Sequence, residues 1–195
     1  HSLYGKFFFC AFGTRAFSLL YLWEIWNPRS SYTFPFSLQF VDDYLNIVSM
    51  KKEILNSSKF SSFSLNCTRK FAFNLAESLN PPYVLYLNGI LGSGKTFLCK
   101  CIGEYYGIKC INSASFSRVS HNLGEINLVH CDFYRGIPEP SFFEEEIEPL
   151  LISPWIILIE WGKLISWDFN CPEYELDFKY IDPTRRDLLF TNRSV

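Results

Sequence analysis

Gly89-Ile90-Leu91-Gly92-Ser93-Gly94-Lys95-Thr96 is the stretch that decides how the rest of this 195-residue chain is read. Three glycines in eight residues let the backbone curl until successive N–H groups point into one concavity. In front lies Tyr83-Val84-Leu85-Tyr86-Leu87, a short apolar run of strand type that comes after Pro81-Pro82. Behind it, Thr96 to about Tyr106 reads as a helix that Gly107 terminates. Strand, glycine loop and helix, in that order, present a helix N-terminus to an anion. Chance produces the pattern in about one chain of this length in a hundred or fewer, and the flanking elements lower that further. The stretch is a P-loop. It predicts phosphate contacts from Gly89, Leu91, Gly92, Ser93, Gly94, Lys95, Thr96 and Phe97, with the Lys95 charge on the β and γ phosphates of a nucleoside triphosphate and the Thr96 hydroxyl on Mg²⁺.

Working outward, Phe60 to Leu65 reads as a short strand, with Asn66 or Thr68 able to cap a helix behind it. Thr68, Phe71, Ala72, Leu75, Ala76 and Leu79 form one face of that helix, which Pro81-Pro82 ends. Further strands are expected at Ile108 to Ile111, Ile126 to His130 and Trp155 to Ile159, with a turn at His121 to Glu125. Ser141 to Leu151 reads as an acidic helix carrying Glu144, Glu145 and Glu146 in its early turns. Tyr174 to Ile181 alternates, which predicts a half-buried edge or antiparallel strand. Strands interleaved with helices predict an α/β, P-loop NTPase-like sandwich: a mainly parallel central sheet with antiparallel edge strands.

Hydrolysis needs more than a phosphate cradle, because one group must complete the metal's shell and another must orient the attacking water. Glu160 ends the apolar run Trp155 to Ile159, the Walker B position at the carboxyl edge of a parallel sheet, and Asp132 comes after Ile126 to His130 toward the same edge. Without a P-loop either acid would be an ordinary solvated or capping residue. His130 on its own reads as a packed or hydrogen-bonded residue, Arg135 as a solvated charge or a phosphate contact, and Trp161 as core or cleft wall beside the nucleotide.

Together these residues resemble the bacterial TsaE (YjeE) family, the small ATPase of the tRNA threonylcarbamoyladenosine pathway. The likeness runs from about Ser57 to Arg186. It rests on the P-loop with Phe97, on Ser113-Ala114-Ser115-Phe116 where the family has Ser-Pro-Thr-Phe, on His130-Cys131-Asp132-Phe133-Tyr134-Arg135 for the family's His-x-Asp-x-Tyr-Arg, and on Ile159-Glu160-Trp161. The resemblance implies that Thr96 and Glu160 hold Mg²⁺, that Asp132 positions or activates water, and that Ser115 belongs to a switch loop sensing the γ-phosphate. It implies ATP as ligand, TsaB- and TsaD-like proteins as partners, tRNA reached through that complex, and a cytoplasmic setting. The departures are Ala114 for the family's proline, Ser115 for its threonine, and Gly162-Lys163 where Pro-Glu is usual. The absence of an obvious arginine finger predicts slow turnover without partners.

Bulk properties bound the remainder. A formal net charge of -2 is not the basic signature of a chain that holds nucleic acid alone by neutralising phosphates. Seven cysteines, an odd number without CxxC spacing, fit reduced cytosolic thiols better than a disulfide framework. Residues 1–49 are rich in aromatics without a steady period, and Met50, the single methionine, precedes Lys51-Lys52-Glu53. They are expected to be a non-native or poorly ordered extension, with residues 50–195 forming the ATPase domain. Arg15 interrupts the apolar Phe7 to Trp23 stretch, which argues against a bilayer span. Two other functions share these features. A small-molecule P-loop kinase would phosphorylate an acceptor and need a mobile basic lid, for which Arg185-Arg186 is the available pair. An ATP-dependent binding or scaffold switch would bind tightly and barely turn over.

Overall fold

A computed structural model describes residues 59–108 and 117–193. The expected extension over residues 1–49, the Ser113 to Phe116 stretch with Ser115, and most of the strand expected at Ile108 to Ile111 lie outside the described residues. Among the described residues, seven strands form one sheet: β1 (Lys59–Ser62), β2 (Tyr83–Gly89), β3 (Val119–Asn122), β4 (Asn127–Asp132), β5 (Trp155–Glu160), β6 (Glu173–Tyr180) and β7 (Arg186–Asn192), in the order β1-β7-β6-β2-β5-β4-β3. β2 is central and pairs in parallel with β5 and β6, and β4 pairs in parallel with β5. β1, β7 and β3 join antiparallel at the two sides. The expected architecture, a parallel centre with antiparallel edges, is the one observed.

The side-chain period of two sorts the central strands into two faces. Leu85 and Leu87 of β2, Ile156 and Leu158 of β5 and Leu128 of β4 share one face with α1 (Leu65–Ser78) and α2 (Lys95–Tyr105). Phe71, Ala72, Leu75 and Ala76 are the buried stripe of α1, and Leu98, Cys99, Cys101 and Ile102 that of α2. Both cysteines of α2 therefore enter the same core, and every cysteine among the described residues is a free thiol. Val84, Tyr86, Val129, Cys131, Ile157 and Ile159 occupy the opposite face.

Among the described residues, that second face is covered without a regular α-helix. The stretch expected to form the acidic helix Ser141 to Leu151 is helical but irregular, a π-helix at Phe143–Ile147 with Glu144, Glu145 and Glu146 in its first turn, continued by a 3-10 helix at Glu148–Leu150. Pro149 lacks the N–H that the helix requires and would meet the carbonyl one turn back. Phe142 and Phe143 contribute to an aromatic cluster with Phe133, Trp167 and Phe169, with ring centroids 5.1–6.4 Å apart.

Two boundaries also move. Helix α1 starts at Leu65 because Ser64, with extended backbone, accepts the Cys67 N–H at 3.1 Å, whereas Thr68, expected in that role, is buried with its hydroxyl 2.7 Å from Ser62 Oγ. His121 and Asn122, expected in a turn, end strand β3. Of the two alternatives for Tyr174 to Ile181, an edge or an antiparallel strand, the second is observed: β6 pairs antiparallel with β7 and lies inside the sheet against β2. Gly107, at φ 77, does terminate α2, with its N–H on the Glu104 carbonyl. No helix among the described residues is long and apolar enough to cross a membrane.

Leu158 is fully buried in the middle of β5. Leu158→Ala is expected to cost about 2–5 kcal/mol, seen as a lower urea midpoint at unchanged slope.

Candidate nucleotide site

The strand register brings the site together before any side chain is considered. Glu160, the last residue of β5, stands opposite Leu87 of β2 on one side and Asp132 of β4 on the other. Residues paired across neighbouring strands point to the same face, here the face under α2. β2 runs into the glycine loop and α2 begins at Lys95, so the helix N-terminus sits over both acids. Leu91, Gly92, Gly94, Lys95, Thr96, Phe97, Asp132, Glu160 and Trp161, all expected site residues, line one cleft of about 450 Å³. Tyr134 and Arg135 complete it.

The loop is held in shape from within. Lys95 Nζ donates to the carbonyls of Gly89 at 2.8 Å and Ile90 at 3.0 Å, and lies 3.9 Å from the centroid of the Trp161 ring. Burial pulls its ammonium below the usual lysine range, against which the Glu160 and Asp132 charges act. Gly89, at φ 138, has no room for a side chain: a Cβ would stand 2.7 Å from the Phe178 carbonyl oxygen. Gly94, at φ 108, faces Arg186, whose Nη1 would be 3.4 Å from an added Cβ. Gly89 and Ser93 do not line the cleft: Gly89 seats the loop against β6, and the buried Ser93 hydroxyl has no hydrogen-bond partner.

Glu160 is buried and both of its carboxyl oxygens are engaged. Thr96 Oγ1 donates to Oε2 at 3.0 Å, while His130 Nε2 lies 2.9 Å and Cys99 Sγ 4.0 Å from Oε1. The Thr96–Glu160 contact joins the two expected metal ligands directly. Asp132 accepts the Tyr134 N–H at 3.0 Å, and this turn directs Tyr134 against the Trp161 ring at 5.1 Å. Burial and the neighbouring Glu160 push the Cys99 thiol well above its usual range. Sequence reasoning alone does not assign His130 or Cys99 to the site. A partial signal exists for His130, which lies two residues before Asp132 on one strand face, but Cys99 reaches the site only through helix packing.

Trp161 adopts φ 63, unusual for a bulky residue, and its N–H donates to the Leu87 carbonyl at 3.0 Å. The next residue is Gly162, where a Cβ would stand 2.6 Å from Tyr86 Cδ1 and 2.7 Å from Ile159 Cγ2. A side chain at 162 does not fit this turn, which accounts physically for glycine at that departure from the family pattern. The Arg185-Arg186 pair does not form a mobile lid. Arg186 is buried with Nη2 on the Pro183 carbonyl, and the Arg185 N–H is held by Asp182 at 2.7 Å.

The family model described as "Threonylcarbamoyl adenosine biosynthesis protein TsaE" matches residues 63–188. The chain belongs to the TsaE family. The tRNA threonylcarbamoyladenosine biosynthesis protein TsaE of Rickettsia bellii is 33% identical over 131 residues, covering 64% of this chain and 88% of that protein. Its counterpart in Bacillus subtilis is 30% identical over 131 residues, covering 64% and 78%. The crystal structure of Bacillus subtilis YdiB superposes with a TM-score of 0.53 at 27% identity, over 69% of this chain and 84% of that one. The family expectation and the fold expectation are thereby both met.

The tight seat of the loop generates a prediction. Gly89→Ala is expected to cost about 1–3 kcal/mol of stability and to weaken nucleotide binding by about tenfold or more. Thermal unfolding and a fluorescent-ATP titration measure the two effects.

Proposed function

We propose that this chain is a Mg²⁺-dependent ATPase that supports threonylcarbamoyladenosine modification of tRNA beside TsaB- and TsaD-like proteins in the cytoplasm. The observation that carries the reading is the 3.0 Å hydrogen bond between Thr96 and Glu160 at the mouth of a P-loop, in a chain whose relatives are named for that biosynthesis.

The donor set suits Mg²⁺ and a triphosphate. Thr96 and Glu160 are oxygen ligands, as a hard cation requires, and both line the cleft beside the glycine loop. Thr96 and Glu160 would hold the metal, which when bound neutralises charge on the β and γ phosphates. Lys95 exchanges its loop carbonyls for phosphate oxygens, an exchange aided by a site that already disfavours the isolated ammonium. Gly92, at φ 77, has open space where a side chain would stand, so its backbone is accessible to a phosphate. Asp132, in register beside Glu160, would accept a proton from or orient the attacking water. Trp161 and Tyr134 wall the cleft. Ser115 is assigned to the γ-phosphate switch by family resemblance.

Lys95→Ala is expected to weaken ATP binding itself. Asp132→Asn is expected to spare binding and lower kcat by roughly a hundredfold or more; an unchanged rate removes Asp132 from the chemistry. Glu160→Gln is expected to raise the Mg²⁺ concentration needed for half-maximal turnover. The deciding experiment is phosphate release from Mg²⁺-ATP by the chain alone and with a TsaB–TsaD pair. A slow rate that rises with the pair supports the proposal, and a rate indifferent to the pair overturns the assigned partnership.

A further inference from the structure

We propose that Cys99, His130 and Glu160 form a site for a thiophilic divalent cation of the Zn²⁺ class, and that a cation held there withdraws Glu160 from the Mg²⁺ shell. All three residues are buried, and Cys99 Sγ, one ring nitrogen of His130 and one carboxyl oxygen of Glu160 lie within 4.8 Å of one another. Two of the separations are 2.9 Å, from His130 Nε2 to Glu160 Oε1, and 4.0 Å, from Cys99 Sγ to the same oxygen. A tetrahedron with Zn–S of about 2.3 Å and Zn–N and Zn–O of about 2.0–2.1 Å sets its donors about 3.3–3.7 Å apart, so the cation fits with donor shifts of about 1 Å or less.

The ligands come from three packed elements: Cys99 from α2, His130 from β4 and Glu160 from β5. Their convergence is set by the register that puts His130 and Glu160 on the α2 face. Sulfur and imidazole select zinc-like ions over Mg²⁺, which prefers oxygen ligands in octahedral array. Three protein ligands with a fourth position open is an arrangement zinc adopts, and Glu160, which lines the cleft with Thr96, gives the entry path. His130 Nδ1 is buried without a partner. With a cation on Nε2 the ring proton sits on Nδ1 without a protein acceptor, which makes the site weaker than one whose histidine donates its second N–H. On binding, the Cys99 S–H bond breaks, the sulfur electron pair forms the metal bond and the proton leaves to solvent.

The cation site stands on this geometry alone; the competition with Mg²⁺ rests also on the function proposed above. Co²⁺ titrated into the whole chain, free of nucleotide, reads the site directly. One equivalent is expected to produce a thiolate-to-cobalt charge-transfer absorption that Zn²⁺ abolishes and that is absent in both Cys99→Ser and Cys99→Ala, each checked for folding by circular dichroism. No such absorption in the unsubstituted chain, or its persistence in both variants, overturns the site. Saturating Mg²⁺ with a non-hydrolysable ATP analogue is expected to weaken Co²⁺ binding by about tenfold or more. An absorption titration indifferent to that addition overturns the competition and removes Glu160 from the Mg²⁺ shell, while leaving the three-ligand site in place.

Discussion

The carboxyl group of Glu160 joins the sheet, the glycine loop and the cleft. It lies almost fully out of water at the end of β5, where an acidic side chain is tolerated only with its oxygens satisfied. Thr96 from the first turn of α2 engages one oxygen and His130 from β4 the other. Removing one partner from a buried charged or polar pair of this kind costs about 3–5 kcal/mol when the remaining group is ionised. The same two contacts tie α2 and β4 to β5, so the geometry that satisfies the acid also sets the Thr96 hydroxyl in the cleft.

This arrangement depends on the asymmetry of the sheet. One face is covered by two regular helices that pack flat on Leu85, Leu87, Leu128, Ile156 and Leu158, and it is there that α2 lowers its N-terminus over the strand ends. The other face is sealed by aromatic rings and short turns. The rings of Phe133, Phe142, Trp167 and Phe169 bury large apolar areas from irregular backbone, which leaves the segment between Asp132 and β5 free of the spacing that a helix would impose. Within it, Asp132 holds the Tyr134 N–H, and Trp161 on the far side of Glu160 accepts a left-handed backbone, so that two aromatic walls meet at 5.1 Å across the cleft. Gly162 permits that turn because Tyr86 and Ile159 approach where a side chain would stand.

Local chemistry made much of this legible in the chain itself. The glycines at 89, 92 and 94 announce positive φ, and all three adopt it. The apolar runs before the P-loop, before Asp132 and before Glu160 read as strands because each is buried on both faces and needs no alternation. Where reading fails, the competing effect is identifiable. Arg186–Asn192 carries no local strand signal strong enough to read, because its pairing partners, β1 and β6, are supplied by other parts of the chain. The acidic stretch Glu144 to Glu146 is helical as its composition suggests, but Pro149 and the pull of Phe142 and Phe143 into the aromatic cluster make the helix short and irregular. The alternation of Tyr174 to Tyr180 leaves edge and antiparallel strand open, and tertiary pairing decides for an antiparallel strand inside the sheet.

The sequence by itself determined the phosphate loop, the strands that flank it, the two acids at strand ends and the TsaE likeness, because each is written in contiguous residues whose backbone preferences act locally. Only the tertiary structure decided which residues meet in the buried cluster around Glu160. Cys99, His130 and Glu160 meet because strand register and helix packing, both set by burial of side chains far apart in the chain, bring three separate elements to one point.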